Sequence, residues 1–146
     1  MALTRHRRGE PVHVLIEIPA WSFRKTVATS SGWRQEFFSL LPCPFNYGAA
    51  PDIPAPDGEG QDVIVLGPRL ERGAQVTVYP RLRVVFWDEG VSDDKLVARL
   101  DGRSPRQIDR LLLMTFFRMY TVLKRVRGFL HGRKGDTRVL GYEPYP

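Results

Sequence analysis

The chain has little of what builds covalent or soft-metal scaffolds. It holds a single cysteine, Cys43, so no disulfide framework forms within it, and that usage suits a reducing compartment. Its three histidines, His6, His13 and His131, lack the spacing of metal ligands, and none lies near Cys43 in sequence. Cys43 therefore reads as packing rather than as a nucleophile. No stretch approaches the length of a membrane span, and no apolar run of signal-peptide length follows Arg5, Arg7 and Arg8. The expectation is a cytoplasmic protein with no membrane partner. Internal repeats are also absent.

What is present suits one globular domain. The 146 residues are 42% hydrophobic and 26% charged, enough apolar material for a single core. We expect a loose basic N-terminus over 1–11 and one domain over 12–146. The net charge of +6 points to a polyanionic partner, but it is unevenly spread. Basic residues crowd the start and the last third, while Asp52, Asp57, Glu59, Asp62, Asp88, Glu89, Asp93 and Asp94 fill the middle. An acidic middle suits a metal site better than a plain nucleic-acid binder, whose phosphate backbone it would repel. A single-stranded nucleic-acid module is the contrasting class; steep weakening by salt would mark it.

Periodicity gives the elements. Val12–Ile18 is rich in β-branched residues and closes at Pro19, a strand. Glu17 inside it is either on an exposed face or placed for chemistry. Residues 21–32 are ambiguous, 36–41 form a short strand, and the proline- and glycine-rich span 42–60 reads as a functional loop. Val63–Leu66 is a buried strand, 75–87 one bent strand or two around Pro80, and 96–100 another. Then the period changes. Ser104, Pro105 and Gln107 form a helix start with a capping box; Ile108, Leu111, Leu112, Phe116, Met119, Tyr120 and Leu123 follow at helical spacing as the core face. Gly128 reads as the stop. The basic residues from Lys124 onward read as a solvated helix end. Residues 138–142 form a last strand. The order implies an α+β fold, a small closed or nearly closed barrel carrying one C-terminal amphipathic helix.

Two acid clusters stand at strand ends. Asp57, Glu59 and Asp62 precede a buried strand, with Gly58 and Gly60 allowing tight turns between them; Asp88, Asp93 and Lys95 follow a long one. Hard cations such as Mg2+ take oxygen ligands, often one or two carboxylates each with waters and substrate phosphate. Carboxylates gathered so closely repel one another unless a metal neutralises them.

These residues, taken in order, resemble the soluble Mg2+-dependent inorganic pyrophosphatases of the single-domain type. Glu17-Ile18-Pro19 with Lys25 is similar to that family's opening, Pro44-Phe45-Asn46-Tyr47-Gly48 to its PxNYG segment, and Asp57 to Val63 to its DGDPLDV signature. Asp88, Asp93 and Lys95 keep its spacing, and Phe116-Phe117-Arg118-Met119-Tyr120 is similar to its FFxxY helix. The likeness runs across nearly the whole chain. It implies a five-stranded OB-like β-barrel with a helix packed across it, a homo-oligomer, and hydrolysis of pyrophosphate by a metal-activated water with Mg2+ or Mn2+. Asp57, Asp62, Asp88 and Asp93 would hold metal, with Glu17 serving a further one through waters. Lys25, Tyr47, Lys95, Tyr120 and Arg34 would bind phosphate, and Glu59 would take the proton of the attacking water.

The pattern departs from the family at several points. Glu59-Gly60-Gln61 replaces Asp-Pro-Leu, so the proton acceptor is one methylene longer, and catalysis is sensitive to such displacement. Val27 and Thr121 stand where the family has an outer glutamate and a phosphate-binding lysine. The family's arginine falls on Gln35, so Arg34 can serve only if a bulge shifts the strand's register. The inner acids are kept while the outer clamp is thinned. An active enzyme of altered rate is expected, with a paralogue that binds metal and a phosphate compound without efficient catalysis as the alternative.

Overall fold

A computed structural model of the chain describes residues 9–22, 24–38, 42–56, 58–130, 132 and 136–145, with only the backbone for 24–29 and 33–38. Ten strands and one helix follow in the order β1 (Val12–Ile18), β2 (Arg24–Thr29), β3 (Gly32–Phe38), β4 (Asn46–Pro54), β5 (Gly60–Leu66), β6 (Gln75–Val78), β7 (Leu82–Asp88), β8 (Val91–Ser92), β9 (Lys95–Arg99), α1 (Gln107–Leu130) and β10 (Arg138–Pro144).

The sheet corrects the five-stranded barrel. It has eight strands in the order β10-β7-β9-β5-β4-β1-β6, with β8 on β7, while β2 and β3 form a separate hairpin. Among the described residues no ladder joins β6 to β10, so the sheet is open. The strands beyond five are β6 and β10 at the two edges and β8 on β7. The α+β class and the single helix near the C-terminus stand.

The span 42–60 is the largest misreading, because it supplies β4. Its prolines and glycines are accommodated one by one. Gly48 pairs with Ile16, and a Cβ there would run into the Leu15 carbonyl, so only glycine lets the two strands approach. Pro51 and Pro54 fall where the β4–β5 register slips between Ala50 and Pro54, a stretch needing fewer ladder donors. Asn46, fully buried, starts the strand. Its Oδ1 accepts from Ala20 N (3.2 Å) and Leu70 N (2.8 Å), and its Nδ2 donates to Val65 O (3.2 Å) and Pro68 O (2.9 Å). This is full use of an amide's capacity, which makes its burial tolerable.

β5 and β9 run parallel at the centre, Val63 opposite Leu96, and both faces are covered. Val63 and Val65 join Val12, Val14, Ile16, Leu96 and Ala98 on one side, while Ile64 and Leu66 join Phe45, Val84, Phe86, Val97, Leu113 and Phe117 on the other. That two-sided burial explains the continuous apolar run of β5. Each such side chain removed from water contributes about 1.5–3 kcal/mol.

The helix covers the second face with only part of the expected set: Phe116 and Tyr120 pack against that cluster as expected. Leu113, Phe117 and Thr121 are buried, whereas Ile108, Leu111, Leu112, Met119 and Leu123 are exposed. α1 is apolar on two sides, and periodicity alone does not tell which meets the sheet. Its ends shift too. It starts at Gln107, where Asp109 Oδ2 accepts from the Arg106 backbone N–H (2.8 Å), one half of a capping box. It passes through Gly128 and ends before Gly132, whose φ of 67° and N–H to the Phe129 carbonyl (3.2 Å) close it. No helix of the described residues is long and apolar enough to cross a membrane.

Candidate active site

The topology gathers one end of three central strands. β5 and β9 are parallel, so their N-terminal ends, carrying Asp62 and Lys95, lie together. β7 is antiparallel to β9 and brings its C-terminal Asp88 to the same end, and β4 adds Tyr47 near its start. The turn between β8 and β9 contributes Asp93. α1 lays Tyr120 across this end from the helix-covered face.

Lys95 is the centre of the bay. Its side chain is 6% exposed, with Nζ 2.6 Å from Asp62 Oδ2 and 2.7 Å from Asp93 Oδ2. The ammonium also lies 5.8 Å from the centroids of both the Tyr47 and the Phe86 rings. Burial alone would push its pKa down, but the charges of Asp62 and Asp93 and the hydrogen bonds to them prevail and hold it above the usual lysine value. Burial raises the Asp93 carboxyl, Lys95 pulls it back, and Asp62 and Asp88 push it up again; the net direction is upward. Three carboxylates thus act on one another around the buried Lys95 ammonium.

The two tyrosines respond to the same field. Burial, then the charges of Asp62 and Asp93 and a hydrogen bond to Asp62, lift the Tyr47 hydroxyl well above its ordinary pKa. Burial and then Asp88, Asp93 and Asp62 lift that of Tyr120. Both stay protonated, as hydrogen-bond donors to an anion must.

Two residues missed by sequence reasoning complete the wall. Lys124 is not on a solvated helix end: its Nζ lies 2.5 Å from Asp88 Oδ2 and 5.7 Å from the Tyr120 ring centroid. Buried Thr137 donates its hydroxyl to the other Asp88 oxygen at 3.1 Å and accepts from Glu89 N at 3.4 Å. Lys124 had a usable signal, since it lies four residues beyond Tyr120 on the same helix face. Thr137 had none. Gln61, a departure from the resemblance, donates to the Asp94 carbonyl at 2.6 Å and ties the two acid loops together. Behind them lies a cavity of about 270 Å³ lined by Gln61, Asp62, Arg83, Asp93 and Tyr145 among others.

The other expected site residues are placed as follows. Glu17 is the bulged residue of β1, between Ile16 opposite Gly48 and Ile18 opposite Tyr47, so it borders Tyr47. Glu59 lies exposed in the turn before β5. Asp57 lies outside the described residues, as do the side chains of Lys25 and Arg34. Their backbones belong to the β2–β3 hairpin, where Arg34 pairs with Val27 and the register slips between Lys25 and Thr26. Among the described residues no three His, Cys, Asp or Glu groups enclose a position for one metal ion.

The model of the inorganic pyrophosphatase family matches residues 14–135, which includes every residue of this bay apart from Thr137. The chain belongs to the inorganic pyrophosphatase family. Solved structures agree on the fold. A pyrophosphatase from Coxiella burnetii is 23% identical, with 99% of this chain and 90% of that one covered at a TM-score of 0.75. One from Neisseria gonorrhoeae is 22% identical, covering 93% and 83% at 0.77. An N-terminally truncated vacuolar soluble pyrophosphatase from Trypanosoma cruzi, in complex with PPi, is 16% identical, covering 98% and 66% at 0.64. A search of curated protein sequences finds no match. Within the pyrophosphatase family, the bay is where the chain's acids, lysines and tyrosines converge.

Proposed function

We propose that this pyrophosphatase-family chain hydrolyses inorganic pyrophosphate to two phosphates in the bay, with Mg2+ as its cation and Mn2+ able to substitute. The observation that carries the reading is buried Lys95, held between Asp62 and Asp93 against the Tyr47 ring. The donor set fits a hard divalent ion. Asp62, Asp88 and Asp93 offer only oxygen, and the charges of Asp62 and Asp88 push Asp93 up beyond what burial does, a repulsion that such an ion relieves. Asp57 and Glu17 complete the set in this reading. When bound, the cations neutralise phosphate oxygens and acidify a water.

The chain's own groups do the rest. The Lys95 ammonium and the Tyr47 and Tyr120 hydroxyls donate to phosphate oxygens, and Lys25 and Arg34 add cations from the β2–β3 hairpin. Water oxygen bonds to one phosphorus, the bridging P–O bond breaks, and Glu59 accepts the water's proton. The test is phosphate release from pyrophosphate with Mg2+, with Mn2+ and with a chelator, beside Asp62→Asn. Release that needs the metal and falls by about a hundredfold or more in the variant supports the reading. Release at the background rate with both metals sinks it.

The reading extends to a single domain over 12–146, a cytoplasmic setting in keeping with the lone Cys43, and assembly with further copies of itself. The outer stripe of α1 supports assembly: Leu111, Met119, Val122, Val126, Phe129 and Leu130 are all at least half exposed, Phe129 at 84%. With Ile108, Leu112 and Leu123 they offer an area on the order of the ~800 Å² each partner buries in a standard interface. Val122→Glu is expected to lower the mass seen by analytical ultracentrifugation to that of one chain. A wild-type protein already of that mass removes this part of the reading.

A further inference from the structure

α1 faces the bay with fewer donors than the resemblance implies. Thr121, next to Tyr120, is buried, and its hydroxyl is spent on the Phe117 carbonyl at 2.7 Å. It offers the bay nothing. One turn on, Lys124 reaches the bay instead, its ammonium on Asp88 and 5.7 Å from the Tyr120 ring centroid. Asp88 keeps a second hold through Thr137, so it does not depend on Lys124 for its position.

We propose that Lys124 is a substrate-binding residue of this bay, an exchangeable counter-ion that neutralises Asp88 in the metal-free protein and moves to phosphate oxygens when a divalent cation takes Asp88. The inference rests on the reading of the bay as a pyrophosphate site. Its chemistry follows from the two groups. A divalent ion outcompetes a single ammonium for a carboxylate, and a lysine has a flexible four-carbon stem with three rotatable donors that let its charge swing to a new partner. Lys124 is 28% exposed on its side chain, so it has room to move; Lys95, at 6%, does not. The ammonium therefore opposes metal at Asp88 but favours the phosphate that arrives with it.

That opposition gives the test. Mg2+ binding to the metal-free full chain and inorganic phosphate binding in saturating Mg2+ are measured by calorimetry, with KM and kcat for pyrophosphate, on the wild type, Lys124→Met and Lys124→Arg. Methionine keeps the apolar stem without the charge. We expect Lys124→Met to bind Mg2+ more tightly and phosphate more weakly, each by about tenfold, as losing one charged hydrogen bond predicts. KM should rise by a similar factor with a smaller change in kcat, and Lys124→Arg should return both affinities towards wild type. A methionine variant that weakens both ligands, or changes neither, overturns the proposal, because a merely structural lysine moves them together or not at all. If the wild type releases no phosphate from pyrophosphate, the catalytic reading fails, but the two calorimetric titrations still decide the role of Lys124. A wild type that binds neither Mg2+ nor phosphate overturns both.

Discussion

Lys95 and Lys124 sit against carboxylates of the same bay, yet they come from different parts of the molecule. Lys95 begins a central strand, is 6% exposed and holds two acids; Lys124 stands on the helix, is 28% exposed and holds one. The strand floor and the helix rim therefore carry the same charge pattern with different permanence. Removing the buried ammonium is costly, since it leaves two close carboxylates, each under a third exposed, without their shared counter-charge. The Lys124–Asp88 pair at the rim, with both side chains about a quarter exposed, is held less firmly, because solvent reaches its ammonium and screens it. The fold fixes the first pair and leaves the second free to exchange.

The sharpest way to break that contrast is Lys95→Met. It should lower stability of the metal-free protein by about 3–5 kcal/mol in denaturant unfolding, and Mg2+ should restore part of the loss by replacing the missing charge. An effect no larger than that of Lys124→Met would mean that floor and rim do not differ. Next comes Thr137→Val, which keeps the shape and removes the hydroxyl that holds Asp88. It should cost about 1–2 kcal/mol and make Lys124 the sole partner of Asp88, so Mg2+ binding should weaken. The smallest effect is expected from Asp109→Asn, at the start of the helix that carries the rim. Asp109 lies below the usual carboxylate range: burial raises it, but hydrogen bonds from the Arg106 side chain and backbone prevail. Its stabilisation is thus present above the unfolded value of about 3.9 and is lost as pH falls through the lower folded value. The difference between wild type and Asp109→Asn, less than about 1 kcal/mol near pH 7, should vanish in unfolding curves taken at acid pH. A difference that grows on acidification would reverse the assigned sign.

The floor was largely legible in the sequence and the rim was not. β1 matches its expected bounds, and β5 and β9 differ from theirs by a few residues, because their β-branched runs are buried and the local signal agrees with the tertiary one. Asp62, Asp93, Lys95 and Tyr47 do converge. What failed needed partners distant in sequence. Proline and glycine spoke for a loop over 42–60, and only pairing with β1 and β5 makes β4 from it. Ile108, Leu111 and Met119 have a core-like period but face outward, since the sheet takes the side with Leu113 and Phe117. Lys124 looked like one more cation of a basic run until Asp88, 36 residues earlier, was placed beside it. Thr137 lies beyond the helix, where no periodicity reaches.

Asn46 touches no group of the bay through any of its four bonds, yet it precedes Tyr47 and staples residues 20, 65, 68 and 70 to one point. A mutational scan scored by activity alone would rank it among the site residues. Scored by soluble yield it would fall with the core instead. In this fold, the most sensitive letter of a signature segment can report on architecture, and separating it from chemistry takes two assays rather than one.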